Sequence, residues 1–177
     1  MMSELKTNKR ILMGPGPSDV HPKVLQAMAT PLIGHLDPQF VQLMDEVKQM
    51  VQQTFMTKNE LSFVVSAPGS AGMETCFVNL LEPGDEVIIC VNGVFGGRMV
   101  AIAERCGAIV HKVESPWGSI ITQDQVKNVL EKCKKPKLLA LVQAETSTGV
   151  LQPLQEISEL VHNAGALMVV DAVTSYC

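Results

Sequence analysis

The sequence predicts an α/β fold in which helices cover a mostly parallel sheet. Short apolar runs recur from residue 62 onward, at 62–66, 86–91, 109–113, 138–144 and 166–171. Stretches whose apolar residues recur at helical spacing separate them. The runs alternate little between apolar and polar residues, as expected of strands buried on both faces, and such strands belong to parallel sheets.

The opening segment is rich in Pro and Gly (Gly14-Pro15-Gly16-Pro17-Ser18, then Pro22, Pro31 and Gly34), so only 23–29 is expected to be helical there. Asp37-Pro38 starts a longer helix, with Asp as cap and Pro at the first helical position. Its stripe is Phe40, Leu43, Met44, Val47, Met50 and Val51. Beyond the 62–66 run, Met73, Cys76, Phe77, Leu80 and Leu81 form one helical stripe. Val126, Val129, Leu130 and Cys133 form a second, and Leu154, Ile157, Leu160 and Val161 a third. Thr122-Gln123-Asp124-Gln125 fits a capping box, and Pro153 and Gly165 bracket the last helix. The expected organisation is an N-terminal segment and helix over 1–58, followed by an α/β domain over 59–177.

Composition narrows the class. Of the 177 residues, 46% are apolar, too many for a disordered chain. No apolar run approaches the ~20 residues of a membrane span. The net charge of −4 argues against a nucleic-acid partner, since phosphate backbones recruit clustered Lys and Arg. The one basic cluster, Lys132, Lys134, Lys135 and Lys137, reads as a solvated helix end. The start, MMSELKTNKR, is polar and not a signal peptide. The five cysteines (Cys76, Cys90, Cys106, Cys133, Cys177) include no C-x-x-C pair and are odd in number. They read as reduced core thiols of a cytoplasmic protein. The histidines are scattered (His21, His35, His111, His162), so no metal site is expected.

In a parallel sheet, ligands bind beyond the carboxyl ends of the strands. After 62–66 comes Ala67-Pro68-Gly69-Ser70-Ala71-Gly72 at a helix start, an anion site suited to phosphate or a plain glycine-rich turn. Neither G-x-x-x-x-G-K-[ST] nor a complete G-x-G-x-x-G is present. After 86–91 comes Asn92-Gly93-Val94-Phe95-Gly96-Gly97-Arg98, whose Phe95 is free to lie against a planar ring or to anchor the loop. After 138–144 comes Glu145-Thr146-Ser147-Thr148-Gly149, a hydroxyl cluster for a ligand or a turn. Asp171 ends the last run, and a buried carboxylate needs a partner such as a metal, a cation or a protonated heterocycle. Together these suit a phosphorylated, cationic, aromatic cofactor, and pyridoxal phosphate has that description.

The chain resembles the class V aminotransferases of the fold-type-I pyridoxal phosphate superfamily, nearest to the alanine–glyoxylate, serine–pyruvate and ureidoglycine–glyoxylate group. The pieces that carry the resemblance are Leu12-Met13-Gly14-Pro15-Gly16-Pro17-Ser18, Gly34-His35-Leu36-Asp37-Pro38-Gln39-Phe40 and Leu81-Glu82-Pro83-Gly84-Asp85. Asn92-Gly93-Val94-Phe95-Gly96, the segment Glu145–Pro153 and Val170-Asp171-Ala172-Val173-Thr174-Ser175 complete the set, in family order. The resemblance assigns Gly69, Ser70 and Ala71 to the cofactor phosphate and Phe95 to the ring face. It puts Thr146 near the phenolic oxygen, Asp171 on the pyridine nitrogen, and Pro15 and Gly16 near the substrate carboxylate. Pro68 departs from the pattern, since many relatives carry Ser there, and it removes a backbone donor.

The resemblance also implies amino transfer from a small amino acid (alanine, serine or ureidoglycine type) to glyoxylate or pyruvate, in a homodimer. It implies a sheet of seven strands in the order 3-2-4-5-6-7-1, of which the five runs are strands 1 to 5. The family's Schiff-base lysine follows the Asp by a few tens of residues in a Ser-x-Gln-Lys motif, which falls beyond Cys177. None of the eleven lysines follows such a strand, so no catalytic residue is expected in this chain and the chain alone is expected to be inactive. On that reading the chain is an N-terminal portion: a partial large domain, truncated before the C-terminal small domain. The alternatives are a lyase or desulfurase-like member, a non-catalytic fragment that aids folding or dimerisation, and, last, a nucleotide-binding domain.

Overall fold

The computed structural model describes residues 6–176; the polar start at 1–5 and Cys177 lie outside the described residues. The chain divides into two compact units, Met1–Val64 and Val65–Cys177.

In the first unit, α1 spans Pro22–Met28 and α2 spans Pro38–Thr54. Asp37 caps α2, its Oδ1 accepting the Gln39 N–H at 2.8 Å, with Pro38 in the first turn. Phe40, Val47 and Val51 of the α2 stripe are half-buried, whereas Leu43, Met44 and Met50 are exposed.

The second unit runs α3 (Gly69–Leu80), β1 (Glu86–Val91), α4 (Val94–Arg105), β2 (Ile109–Glu114), α5 (Gln123–Leu130) and β3 (Pro136–Val142). It continues with the short pair β4 (Ala144–Glu145) and β5 (Val150–Leu151), then α6 (Gln155–Asn163) and β6 (Leu167–Asp171). Four strands form one parallel sheet in the order β2-β1-β3-β6. This is the expected 3-2-4-5 arrangement, with the run carrying His111 and Lys112 at an edge.

The lack of alternation in the central runs has its cause in two cores. Val87, Ile89, Leu138 and Ala140 pack on one face with Phe77 of α3 and Met99, Ile102 and Ala103 of α4. Ile88, Leu139 and Leu141 pack on the other with Val126 of α5 and Ile157 and Val161 of α6. Each fully buried Leu, Ile or Val contributes about 1.5–3 kcal/mol, so β1 and β3 anchor the sheet from both sides. The capping box at α5 forms as its sequence indicates: Thr122 Oγ1 accepts the Gln125 N–H, and Gln125 Oε1 accepts the Thr122 N–H at 2.8 Å.

Two expectations fail. Residues 62–66 form no strand, and among the described residues no strand pairs with them. Their backbone bonds are local turns, Ser62 N–H to Glu60 O and Ala67 N–H to Val65 O, and Phe63 and Val64 are more than half exposed. An apolar run becomes a strand only where a neighbour takes up its ladder groups. Cys76 is not a core thiol but exposed. α3 buries itself through Phe77, and the preceding position sits about 100° around the helix. Cys90 is buried, Cys106 and Cys133 are half-buried, and no helix among the described residues is long and apolar enough to cross a membrane.

Candidate functional site

At the carboxyl end of the parallel strands lies a cavity of about 180 Å³. Gly69, Ser70, Phe95, Thr146 and Asp171 line it, with Met73, Val142, Ala144 and Val173 between them. Five of the six residues expected to hold a cofactor thus converge on one space, although they span a hundred residues of chain. The sixth, Ala71, is not in the lining, and its N–H is spent on the Pro68 carbonyl at 2.8 Å. Pro15 and Gly16 are exposed residues of the first unit.

Gly69 and Ser70 open α3. The residue before them, Pro68, supplies no side-chain cap, and with the Ala71 N–H taken by the Pro68 carbonyl it is the Gly69 and Ser70 N–H groups that stand at the helix start without one. A helix start in that condition attracts an anion through its N–H groups and its positive dipole end. A Cβ on Gly69 would stand 3.4 Å from Val173 Cγ2, an ordinary contact.

Asp171 enters the site as the last residue of β6. Its Oδ1 accepts the Val173 N–H at 3.0 Å, which orients the carboxylate, and its own carbonyl takes the Gln143 N–H at 2.9 Å. The Thr146 and Thr174 hydroxyls hydrogen-bond each other across the two strand ends.

Phe95 is held in place by a network that the sequence did not reveal. Glu145 is 1% exposed. Its Oε2 accepts the N–H groups of Phe95 and Gly96 at 3.2 and 3.4 Å. Its Oε1 accepts the Ser147 hydroxyl at 2.6 Å, and that hydroxyl accepts the Val94 N–H at 3.0 Å. α4 begins at Gly93, which has no capping side chain, so Glu145 and Ser147 act as its cap from another strand. Gly93 is required sterically: a Cβ there would lie 2.3 Å from Glu145 Cγ. The strand-end carboxylate beside a glycine was the available signal, but the partners lie 50 residues apart in the chain.

Arg98 was also missed. Its Nη1 donates to Ser70 Oγ at 2.6 Å, and its guanidinium carbon stands 4.9 Å from the centre of the Phe95 ring. The spacing of three residues from Phe95 on one helix face was legible. The contact with Ser70 was not. Arg98 therefore joins the α3 start to the aromatic wall and puts a positive charge beside the anion end.

An anion-binding helix start, a flat aromatic, a hydroxyl pair and an oriented carboxylate fit a phosphorylated cationic ring. The walls these residues form offer binding and orientation.

Comparison with known proteins finds close relatives over nearly the whole chain. The chain is 46% identical over 171 residues to the alanine–glyoxylate aminotransferase of Rattus norvegicus, covering 97% of this chain and 41% of the rat protein. It is 40% identical to the (S)-ureidoglycine–glyoxylate transaminase of Bacillus subtilis (strain 168), covering 97% and 41%. A crystal structure of alanine–glyoxylate aminotransferase from Nostoc sp. superposes with a TM-score of 0.95 at 45% identity, over 99% of this chain and 46% of that one. The chain thus spans less than half the length of the relatives it matches. Residues 12–177 match the family Aminotransferase class-V, and the chain belongs to that family.

Proposed function

We propose that this chain forms the cofactor-holding part of an aminotransferase that moves an amino group from a small amino acid to glyoxylate or pyruvate. The donor is of the alanine, serine or ureidoglycine type; alanine and ureidoglycine stand in the names of its relatives, and serine follows from the family resemblance. The observation that supports this is the convergence of Gly69, Ser70, Phe95, Thr146 and Asp171 on one cavity.

Bound pyridoxal phosphate supplies an electron sink and a carrier for the amino group. In this reading the first turn of α3 and the Ser70 hydroxyl hold the phosphate, with Arg98 adding charge beside them. Phe95 covers one ring face, fixed there by the Glu145 cap of α4. Thr146 bonds the phenolic oxygen. Asp171 accepts from the ring nitrogen and keeps a proton on it, which preserves the ring as an electron sink. By family resemblance Pro15 and Gly16 serve the substrate carboxylate, and the working protein is a cytoplasmic homodimer.

The test is induced circular dichroism of pyridoxal phosphate, which is achiral until a protein holds it asymmetrically. We expect a saturable band that inorganic phosphate competes away, with pyridoxal, which lacks the phosphate, binding at least ~10-fold more weakly. Asp171→Asn should change the band while leaving phosphate competition intact. Equal binding of pyridoxal, or a band indifferent to Asp171, would remove the assignment. Amino transfer itself is tested by supplying alanine or serine with glyoxylate and following glycine.

A further inference from the structure

A second constellation lies at the other end of the sheet. Glu86, His111 and Cys133 bring a carboxylate oxygen, an imidazole nitrogen and a sulfur within 4.8 Å of one another, the one such group among the described residues. Glu86 is the first residue of β1, His111 sits on the edge strand β2, and Cys133 lies in the connection from α5 to β3. β1 separates this cluster from the cofactor cavity by five residue steps, roughly 17 Å of extended chain. The cavity and its proposed cofactor therefore make no use of these side chains.

We propose that Glu86, His111 and Cys133 form a binding site for a borderline divalent cation of the zinc class. The donor set is the first argument. Thiolate sulfur, imidazole nitrogen and carboxylate oxygen are the three side-chain ligands zinc takes, whereas magnesium and calcium take oxygen alone.

Orientation is the second argument. Glu86 Oε2 accepts the N–H groups of Lys134 and Lys135 at 2.9 and 2.8 Å, which fixes the carboxylate from behind. Oε1 is left pointing inward, 3.1 Å from His111 Nε2. A carboxylate held by backbone donors on one oxygen and presenting the other is the outer-shell arrangement that tunes metal ligands.

Reach is the third argument. Donor atoms around a tetrahedral zinc stand roughly 3.5 Å apart, given bonds of about 2.0–2.3 Å. All three donor atoms already lie within 4.8 Å of one another. All three residues are half-buried, so solvent reaches the cluster.

Binding balances without any co-reactant. The Cys133 thiol proton leaves to solvent as sulfur binds the ion, and the ring proton that His111 Nε2 donates to Glu86 Oε1 moves to Nδ1, which frees Nε2 for the ion. The ion ties together β1, the edge strand β2 and the α5–β3 connection, and it acts as a clasp far from the cofactor cavity.

The test uses the full reduced chain, without pyridoxal phosphate, and cobalt(II) alone followed by zinc(II) alone. One cobalt per chain should produce a near-ultraviolet thiolate-to-metal band with the visible bands of a four-coordinate ion, and zinc should bleach both. Cys133→Ser should abolish the near-ultraviolet band. His111→Gln and Glu86→Gln should each weaken cobalt binding at least ~10-fold, in line with lost ligands or their supports. Cys76→Ser should change nothing. Independently of any variant, zinc should protect Cys133 of the wild-type chain from alkylation, read by peptide mass. The proposal is overturned if no thiolate band forms, if the band survives Cys133→Ser, if His111→Gln binds as wild type, or if zinc leaves Cys133 unprotected.

Discussion

The buried carboxylate of Glu145 should be among the largest single polar contributions to this fold, and a double-mutant cycle with Gly93 measures why. Glu145→Ala removes the acceptor of four hydrogen bonds, from Phe95 N–H, Gly96 N–H, Ser147 N–H and the Ser147 hydroxyl. Two of those donors belong to the first turn of α4, whose cap residue Gly93 offers nothing in exchange. Hydrogen bonds to charged groups are worth about 1.5–3 kcal/mol each, and lost helix caps about 0.5–2. The backbone contacts here are long, 3.2 to 3.4 Å, so we take the low end and expect a loss of about 3 kcal/mol. Against a total stability of about 5–15 kcal/mol that is a large share, and it corresponds to a drop of about 6–12 °C in Tm for a chain of this size.

Gly93→Ala should cost a similar amount for a different reason. Its backbone is extended and suits any residue, but the new Cβ would lie 2.3 Å from Glu145 Cγ and 2.4 Å from Cδ. In the double variant those atoms are gone, and only the rotatable Ser147 hydroxyl, 2.6 Å away, remains in the path. The double variant should therefore lose about 1–3 kcal/mol less than the sum of the singles. Urea unfolding followed by far-ultraviolet circular dichroism, at unchanged m, reads all four corners. Single effects that add within about 0.5 kcal/mol would refute the claim that Glu145 fills the space Gly93 vacates.

Three further outcomes are expected. Arg98→Ala should weaken pyridoxal phosphate about 3–10-fold while leaving pyridoxal unaffected, and Arg98→Lys should not fully restore it, because an ammonium lacks the guanidinium's flat fork over Phe95. At pH 8 a disulfide reagent should label Cys76 at once and Cys90 only on unfolding, since burial pushes the Cys90 thiol up to about 12. The same shift sets a sign: the unfolded thiol ionises near ~8.5 and the folded one does not, so the Cys90 contribution to stability falls as pH rises across that window and is absent in Cys90→Ala. Hydrogen exchange should be fast across 62–66 and slow in β1 and β3; cooperative protection at 62–66 would show a strand partner that the described structure lacks.

Signals carried within a few residues were legible from the sequence alone. Asp37-Pro38 and Thr122 to Gln125 announced helix starts because a cap and its donors are neighbours in the chain. The runs at 86–91, 109–113, 138–144 and 166–171 announced strands, the central two because residues buried on both faces leave no room for alternation and the outer two by their short apolar character alone. Phe95, Thr146 and Asp171 could be singled out because a parallel sheet presents every strand end to the same side. Gly69 and Ser70 follow a run that forms no strand and were legible only as a glycine-rich helix start and by family resemblance.

What the tertiary structure alone decided lies between residues far apart in the chain. The same apolar character that makes 86–91 a strand leaves 62–66 a turn, since a strand exists only with a neighbour, and the chain cannot state locally who its neighbour is. Arg98 reaches Ser70 across 28 residues, Glu86 reaches His111 across 25, and Glu145 caps a helix that starts 50 residues earlier. Each of these pairings is set by strand order and register, which arise from burial summed over the whole sheet. No window of sequence contains that sum, so the cap under Phe95 and the Glu86–His111–Cys133 cluster became visible only once the sheet was assembled.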